Sequence, residues 1–530
     1  MNVKSAQSVF MFTECRINDY AQTSNFTQQK QMKSLVISET SGKSFAFRIF
    51  IVALLLRLIP FLAARGLGIG LDDMFQYDML ARSISAGNGF RWYAQQDLNQ
   101  LASFVHFDLS TVKEYDPIRG IPTSFRAPLY PTFLAIIYFL SGTGFSRFFA
   151  ARLAQAILLG APLAPLTYFI SKKLFPPLRI GEGAGVRSER AARIAAWIIA
   201  CYPMLLVYPL GLGTENPFFL LLLVSFLFLL LSIKEPTTFH FLFAGLFLGL
   251  TALTRSVILP FVGLTILWAW FLLNQKRGAI VLALAFTLTI LPWVVRNSLL
   301  HHKLTGIETS MGYNLYLGYH PKGNGSFVFG PSLDLLTILD DAERDRIGTQ
   351  KAMVFIKAQP ERFIPLAINR LGFFFGLEKR VLMYFYSNNI IGYIPLPWLL
   401  TIAAILLLPF VFISTSSALG LSFLRWKPEH VLLLLLFLGY ILPHVFILSE
   451  DRFHLALVPY IAILAAQVWI NGLAPLRVRW NESQIGKFVV VVAISAAFLL
   501  LVNWNFELTR DAAKIAQLLG PNGNQSYFPY

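Results

Sequence analysis

Long apolar runs separated by short polar connections set the rhythm of this chain. Several runs reach the ~20 residues that an α-helix needs to cross a bilayer core. By that criterion the pattern predicts about eleven transmembrane helices. They fall at residues 47–64, 148–170, 191–210, 217–233, 239–253, 257–273, 279–295, 390–413, 431–448, 453–470 and 488–504. Residues 128–141 are also apolar but too short to span, so this stretch is expected as an interfacial or re-entrant helix. The fold class is therefore an all-α multi-pass membrane protein. Two large loops on one face, residues 66–147 and 296–389, carry interfacial helices.

Composition supports this reading. Of 530 residues, 56% are hydrophobic and only 14% are charged, against roughly 25% charged in soluble domains. A water-soluble globule is excluded. The net charge of +16 does not indicate nucleic acid, because no basic-aromatic patch accompanies it. The basic residues instead fill connections 172–193, 234, 276–277, 425–427 and 477–487. Positive charge retained in the cytoplasm places the N-terminus inside and the C-terminus and both large loops outside. The expected organisation is a disordered cytoplasmic tail over 1–46 and a membrane catalytic module over 47–295. An outer loop over 296–389, membrane helices over 390–504 and an outer tail over 505–530 complete it. Cys15 and Cys201 stand too far apart to suggest a disulfide framework.

Candidate chemistry gathers on the outer face. After the first span, Asp72 and Asp73 open a helical pattern in which Met74, Tyr77, Leu80, Ala81 and Ile84 share a face. Such a helix would lie on the membrane surface and end at Gly87. One of the two carboxylates suffices as an N-cap, which leaves the other for chemistry. Arg126 opens the 128–141 stretch, where it would either snorkel or hold a lipid phosphate in a fork of donors. Glu215 lies at the mouth of the fourth span; an ionisable group there is a functional candidate. Arg255 and Arg452 oppose the positive-inside trend, and a structural reading pairs Arg452 with Asp451 or Glu450. Carboxylates and cations at headgroup level suit transfer of a group from a lipid phosphate: an acid takes the acceptor's proton and cations hold the departing phosphate. His301, His302 and His320 have no metal-ligand spacing.

These motifs, in this order, resemble the integral-membrane C-fold glycosyltransferases, especially the protein O-mannosyltransferase-like and aminoarabinose lipid A transferase-like group. The resemblance rests on Asp73-Met-Phe-Gln-Tyr77, Gly87-Asn-Gly-Phe90, Arg126-Ala-Pro-Leu-Tyr-Pro131 and Thr214-Glu215-Asn216-Pro217. It continues through Gly249–Arg255, Arg296-Asn297, Gly312–Gly318 and Arg452–Pro459. It implies a polyprenyl-phosphate sugar as donor, a lipid, glycan or protein acceptor, and inverting transfer on the extracytoplasmic face. The offset to Tyr77 puts the catalytic base at Asp73, with Asp72 the alternative. The resemblance implies phosphate contacts for Arg126 and Arg452, with Arg255 beside them, and a second acidic site residue at Glu215. It requires no cofactor and leaves a divalent metal open. The rival class, a transporter or lipid flippase, would show an inverted repeat or paired broken spans; neither is visible.

Overall fold

The computed structural model describes residues 42–112, 115–176 and 182–528. The tail expected over 1–46 lies almost wholly outside them; the first described helix already begins at Gly42. Eight helices among the described residues are long and apolar enough to cross a membrane. They are Gly42–Ala63, Ser146–Leu174, Glu215–Lys234, Lys276–His301, Leu396–Phe423, Pro428–Phe446, Phe453–Asn471 and Gln484–Arg510. Val186–Cys201 and Pro203–Leu210 form a ninth, bent by 51° where Pro203 breaks the helical hydrogen-bond ladder. The two remaining positions of the expected eleven hold shorter apolar helices, Thr238–Ala252 and Ser256–Leu272.

Contacts fix which span ends lie together. At one end, His430 Nε2 lies 3.1 Å from the Leu174 carbonyl and Trp268 Nε1 donates to that of Pro428 at 3.1 Å. Lys172 and Arg425 belong to the same end. At the other end sit Asp73, Glu215, Arg255 and Arg452, joined by ion pairs. The helix Leu129–Ser141 begins and finishes at this second end: Arg126 before it pairs with Asp73, and Arg147 after it pairs with Asp78. It does not cross, as its 13 residues require.

The helix Asp73–Ser85 is capped by Asp72, whose Oδ1 accepts from the Met74 amide at 2.8 Å, and it ends before Gly87 at φ +76°. It does not present one apolar face to lipid. Tyr77 and Ala81 pack with Tyr130 and Leu134, while Phe75 and Met79 pack with Phe90, Trp92 and Phe125. Between these two cores, Asp78 is buried. It accepts from Arg82, from Nε and Nη2 of Arg147 and from the Tyr138 hydroxyl at 2.7–3.0 Å. The rest of this segment is pinned by a two-residue antiparallel pairing of Arg91–Trp92 with Ile121–Pro122. Gly120 closes that pairing at φ +69°, where an added Cβ would fall 2.1 Å from the Trp92 carbonyl oxygen.

Buried arginines tie the elements through main-chain carbonyls. Arg152 donates to Leu210 and Gly68, and Arg370 to Gly318 and Val445. Arg57, inside the first span, is 1% exposed and donates to Ala53 at 3.0 Å and Ile199 at 3.4 Å. Gly160 makes room for it, since a Cβ there would stand 2.8 Å from Arg57 Nε.

Candidate active site

The charged side chains at this end come from several separate elements. Asp73 enters from the first turn of its helix, where the dipole favours a carboxylate. Glu215 occupies the same position on the Glu215–Lys234 span. The bend before that span is held by Gln155, which donates to Pro209 and Gly211 and accepts from the Tyr130 hydroxyl. Arg126 lies on a turn fixed from the second large segment: Asp341 Oδ2 accepts from Thr123 Oγ1 at 2.5 Å and the Ser124 amide at 2.7 Å. Arg344 holds the other oxygen of Asp341 at 2.6 Å.

The result is a continuous ion network. Arg126 Nη2 pairs with Asp73 Oδ1, and its Nε donates to Gln76 at 2.8 Å. Arg452 Nη2 donates to Asp73 Oδ2 at 3.2 Å. Its Nε faces Glu450 at 3.0 Å and Glu215 at 3.7 Å. Arg255 pairs with Glu215 at 2.6 Å, and Arg380 with Glu450 at 2.7 Å. Aromatic faces line the guanidiniums: Tyr77 and Phe125 around Arg126, and Phe453 beneath Arg255 and Arg452.

Asp73, Arg126, Glu215, Arg255 and Arg452, all expected from sequence, therefore meet. Asp72 lies next to them but spends one oxygen as the N-cap. Glu450 is the partner that sequence offered for Arg452, yet it is a buried member of the network rather than a surface pair. Arg380 and Gln76 had no sequence signal of their own. Gln76 stands one turn from Asp73, so helical spacing alone could have suggested it.

The protein around Asp73 would raise its carboxyl, but Arg126 first and Arg452 second outweigh that. Together they hold it well below the usual carboxylate range. Asp72 moves the other way. Its side chain still meets solvent, but the protein thins its water and the charge of Asp73 adds to the effect, so its carboxyl is pushed up. Two adjacent acids thus differ in character, as acid-base sites require.

Asp73, Glu215 and Glu450 are each matched by a guanidinium, and no three His, Cys, Asp or Glu among the described residues converge as a metal site. These residues do not fit a divalent cation as they stand. His301 serves the scaffold, with Nε2 at 2.6 Å from Ser124 Oγ. His320 Nδ1 accepts from the Lys322 amide at 3.2 Å.

No protein-family model and no curated protein matches the sequence. Among solved structures, the chain is similar to the Archaeoglobus fulgidus oligosaccharyltransferase, in a complex with Zn and sulfate. The identity there is 15% and the TM-score 0.43, over 91% of this chain and 57% of that one. The chain thus spans little more than half the length of that enzyme. It is also similar to ArnT from Cupriavidus metallidurans bound to undecaprenyl phosphate. That match has 13% identity and a TM-score of 0.34, over 81% of this chain and 79% of that one. The apo form of the same protein gives 14% and 0.34, over 83% and 80%.

Proposed function

We propose that the protein is a glycosyltransferase moving a sugar from a polyprenyl-phosphate donor to an acceptor hydroxyl, with inversion, on the extracytoplasmic face. One observation carries this reading. Residues as far apart as Asp73 and Arg452, 379 positions along the chain, form a single acid–guanidinium network at the mouth of the helix bundle. The order of the motifs that supply these residues supports it.

Asp73 is the base and is held ionised. It takes the proton of the acceptor hydroxyl while that oxygen bonds to the anomeric carbon from the face opposite the phosphate. The anomeric C–O bond breaks, and its electron pair leaves on the phosphate oxygen. Arg126 and Arg452, with Arg255 beside them, stabilise that charge. The two guanidiniums that grip Asp73 are the ones the phosphate needs. Donor binding therefore draws them partly away and raises the basicity of Asp73 when a base is required. Glu215 keeps Arg255 and Arg452 oriented and faces the sugar. Asp72, the more easily protonated neighbour, is the alternative base.

The test uses purified protein in lipid nanodiscs with a panel of polyprenyl-phosphate sugars and cell-derived acceptors. Release of free polyprenyl phosphate is the readout. Asp73→Asn is expected to lower the rate by ~10²–10⁴, the usual worth of a general base. Near-normal turnover of that variant, with Asp72→Asn inactive, would move the role to Asp72. Absence of release from every donor, together with movement of labelled lipid across the bilayer, would favour a flippase.

A further inference from the structure

Beneath the arginine row lies a buried acid–imidazole couple that the transfer chemistry leaves unused. His454 Nε2 is 3.0 Å from Glu378 Oε1, and both residues are almost fully buried. The couple stands two residues from the site on both segments: Glu378 precedes Arg380, and His454 follows Arg452. Arg380 and Arg452 are the arginines that flank Glu450.

The hydrogen-bond geometry counts the protons. His454 Nδ1 lies 2.7 Å from the Phe374 carbonyl, which can only accept, so Nδ1 carries a hydrogen. The Tyr202 hydroxyl donates to Glu378 Oε1 at 2.6 Å. Between Oε1 and Nε2 there must then be one further proton, on the carboxyl or on the ring. Without it, a carboxylate and a lone pair would face each other in a dry site. Glu378 Oε2 has no partner, which suits a neutral carboxyl better than a charged one. Burial first raises the Glu378 carboxyl, and the bonds from His454 and Tyr202 offset that only in part. The other charge facing it, Asp451, raises it further. Lys379, its neighbour in the chain, turns away to Glu507 at 2.6 Å and to Asp511. Phe410 stacks on the imidazole at 4.1 Å, and Phe374 supplies the remaining wall.

We propose that Glu378 and His454 are positioning residues. They share one proton and so clamp together the two segments that carry Arg380 and the phosphate-binding Arg452. The proposal rests on the transferase reading for its ligand but not for the couple itself. Loss of the shared proton leaves a buried unpaired negative charge and opens the clamp, so the effect appears as pH rises.

The experiment measures farnesyl phosphate affinity and thermal melting of the protein in nanodiscs across neutral and alkaline pH. Wild type is expected to lose about tenfold in affinity as the couple deprotonates, the scale of one buried unsatisfied group, and to lose melting temperature in the same range. Glu378→Gln turns its amide NH2, at the Oε1 position, to His454 Nε2 and to the Tyr202 oxygen, and has no proton to lose. It should bind like wild type at neutral pH and show neither alkaline change. His454→Phe retains the stack on Phe410 but leaves Glu378 with Tyr202 as its one remaining partner. It should bind about tenfold more weakly at neutral pH while still melting cooperatively. An alkaline limb that persists in Glu378→Gln, or its absence from wild type, overturns the proposal. If farnesyl phosphate fails to bind wild type at neutral pH, the phosphate reading falls instead. The melting comparison then decides the couple alone.

Discussion

Arg452 carries more of the site than any other side chain, because one planar guanidinium reaches Asp73, Glu215 and Glu450 at once. A lysine is a point charge and cannot satisfy three acids in that geometry. Arg452→Gln should therefore destabilise the protein by the order of 3 kcal/mol, the scale for removing one partner of a buried ion pair. Arg452→Lys should recover less than half of that loss in a denaturation series. The depressed Asp73 carboxyl makes a further prediction. Its ionised form is favoured in the folded chain, so its contribution is full above the ordinary carboxylate value of ~3.9. That contribution is lost as pH falls toward the lower folded value. Asp73→Asn should flatten the acid limb of a melting-temperature profile in that window; an unchanged limb would mean that the arginines do not depress it. Asp73, Arg126 and Glu215 were legible in sequence because each opens or precedes an element whose punctuation is local. Arg380 was not, since its carboxylate partner lies 70 residues away and no spacing rule connects them.

Among the elements, length and ends told more than apolar periodicity. The 128–141 stretch was legible as a non-crossing helix from its length, and the contacts of Arg126 and Arg147 at its two ends agree. The Asp73–Ser85 helix shows where pattern falls short. Its face at Met74, Tyr77, Leu80, Ala81 and Ile84 looked like a membrane-surface stripe, but burial on two sides depends on Asp78 finding Arg82, Arg147 and Tyr138. That clamp joins residues from three separate helices, and no window along the chain reveals it. Asp78→Asn should cost about 3–5 kcal/mol in unfolding experiments, since Arg147 loses its carboxylate and Arg82 keeps only Asp97. Gly120→Ala should be comparably harmful to the fold, because the left-handed backbone and the Trp92 carbonyl both exclude a Cβ. Wild-type melting of Gly120→Ala would show that the hairpin can yield.

At the scale of the whole molecule, the eleven apolar runs became eleven helical stretches, of which eight, or nine with the bent pair, are long and apolar enough to cross. The bend at Pro203 follows from the proline itself, whereas the shortness of the helices Thr238–Ala252 and Ser256–Leu272 was not legible in composition. Sidedness is a prediction of charge placement. Ile118→Cys lies in the large segment beside the site and Val478→Cys at the opposite end; both positions are well exposed. In sealed right-side-out vesicles, on a background without Cys15 and Cys201, an impermeant thiol reagent should label the first and spare the second. The reverse result would turn the molecule over.

Arg57 adds a constraint on biogenesis. The carbonyl of Ile199 that it reaches arrives 142 residues later in synthesis. Until then the first helix sits in the bilayer with a guanidinium that has only its own turn to answer it. An arginine deep in a lone helix disfavours insertion by up to about 2.5–3.5 kcal/mol. The nascent first helix should therefore ride toward the headgroups and slide to its final depth only when the third span docks. A ribosome stalled before residue 199 would hold it at the shallower depth.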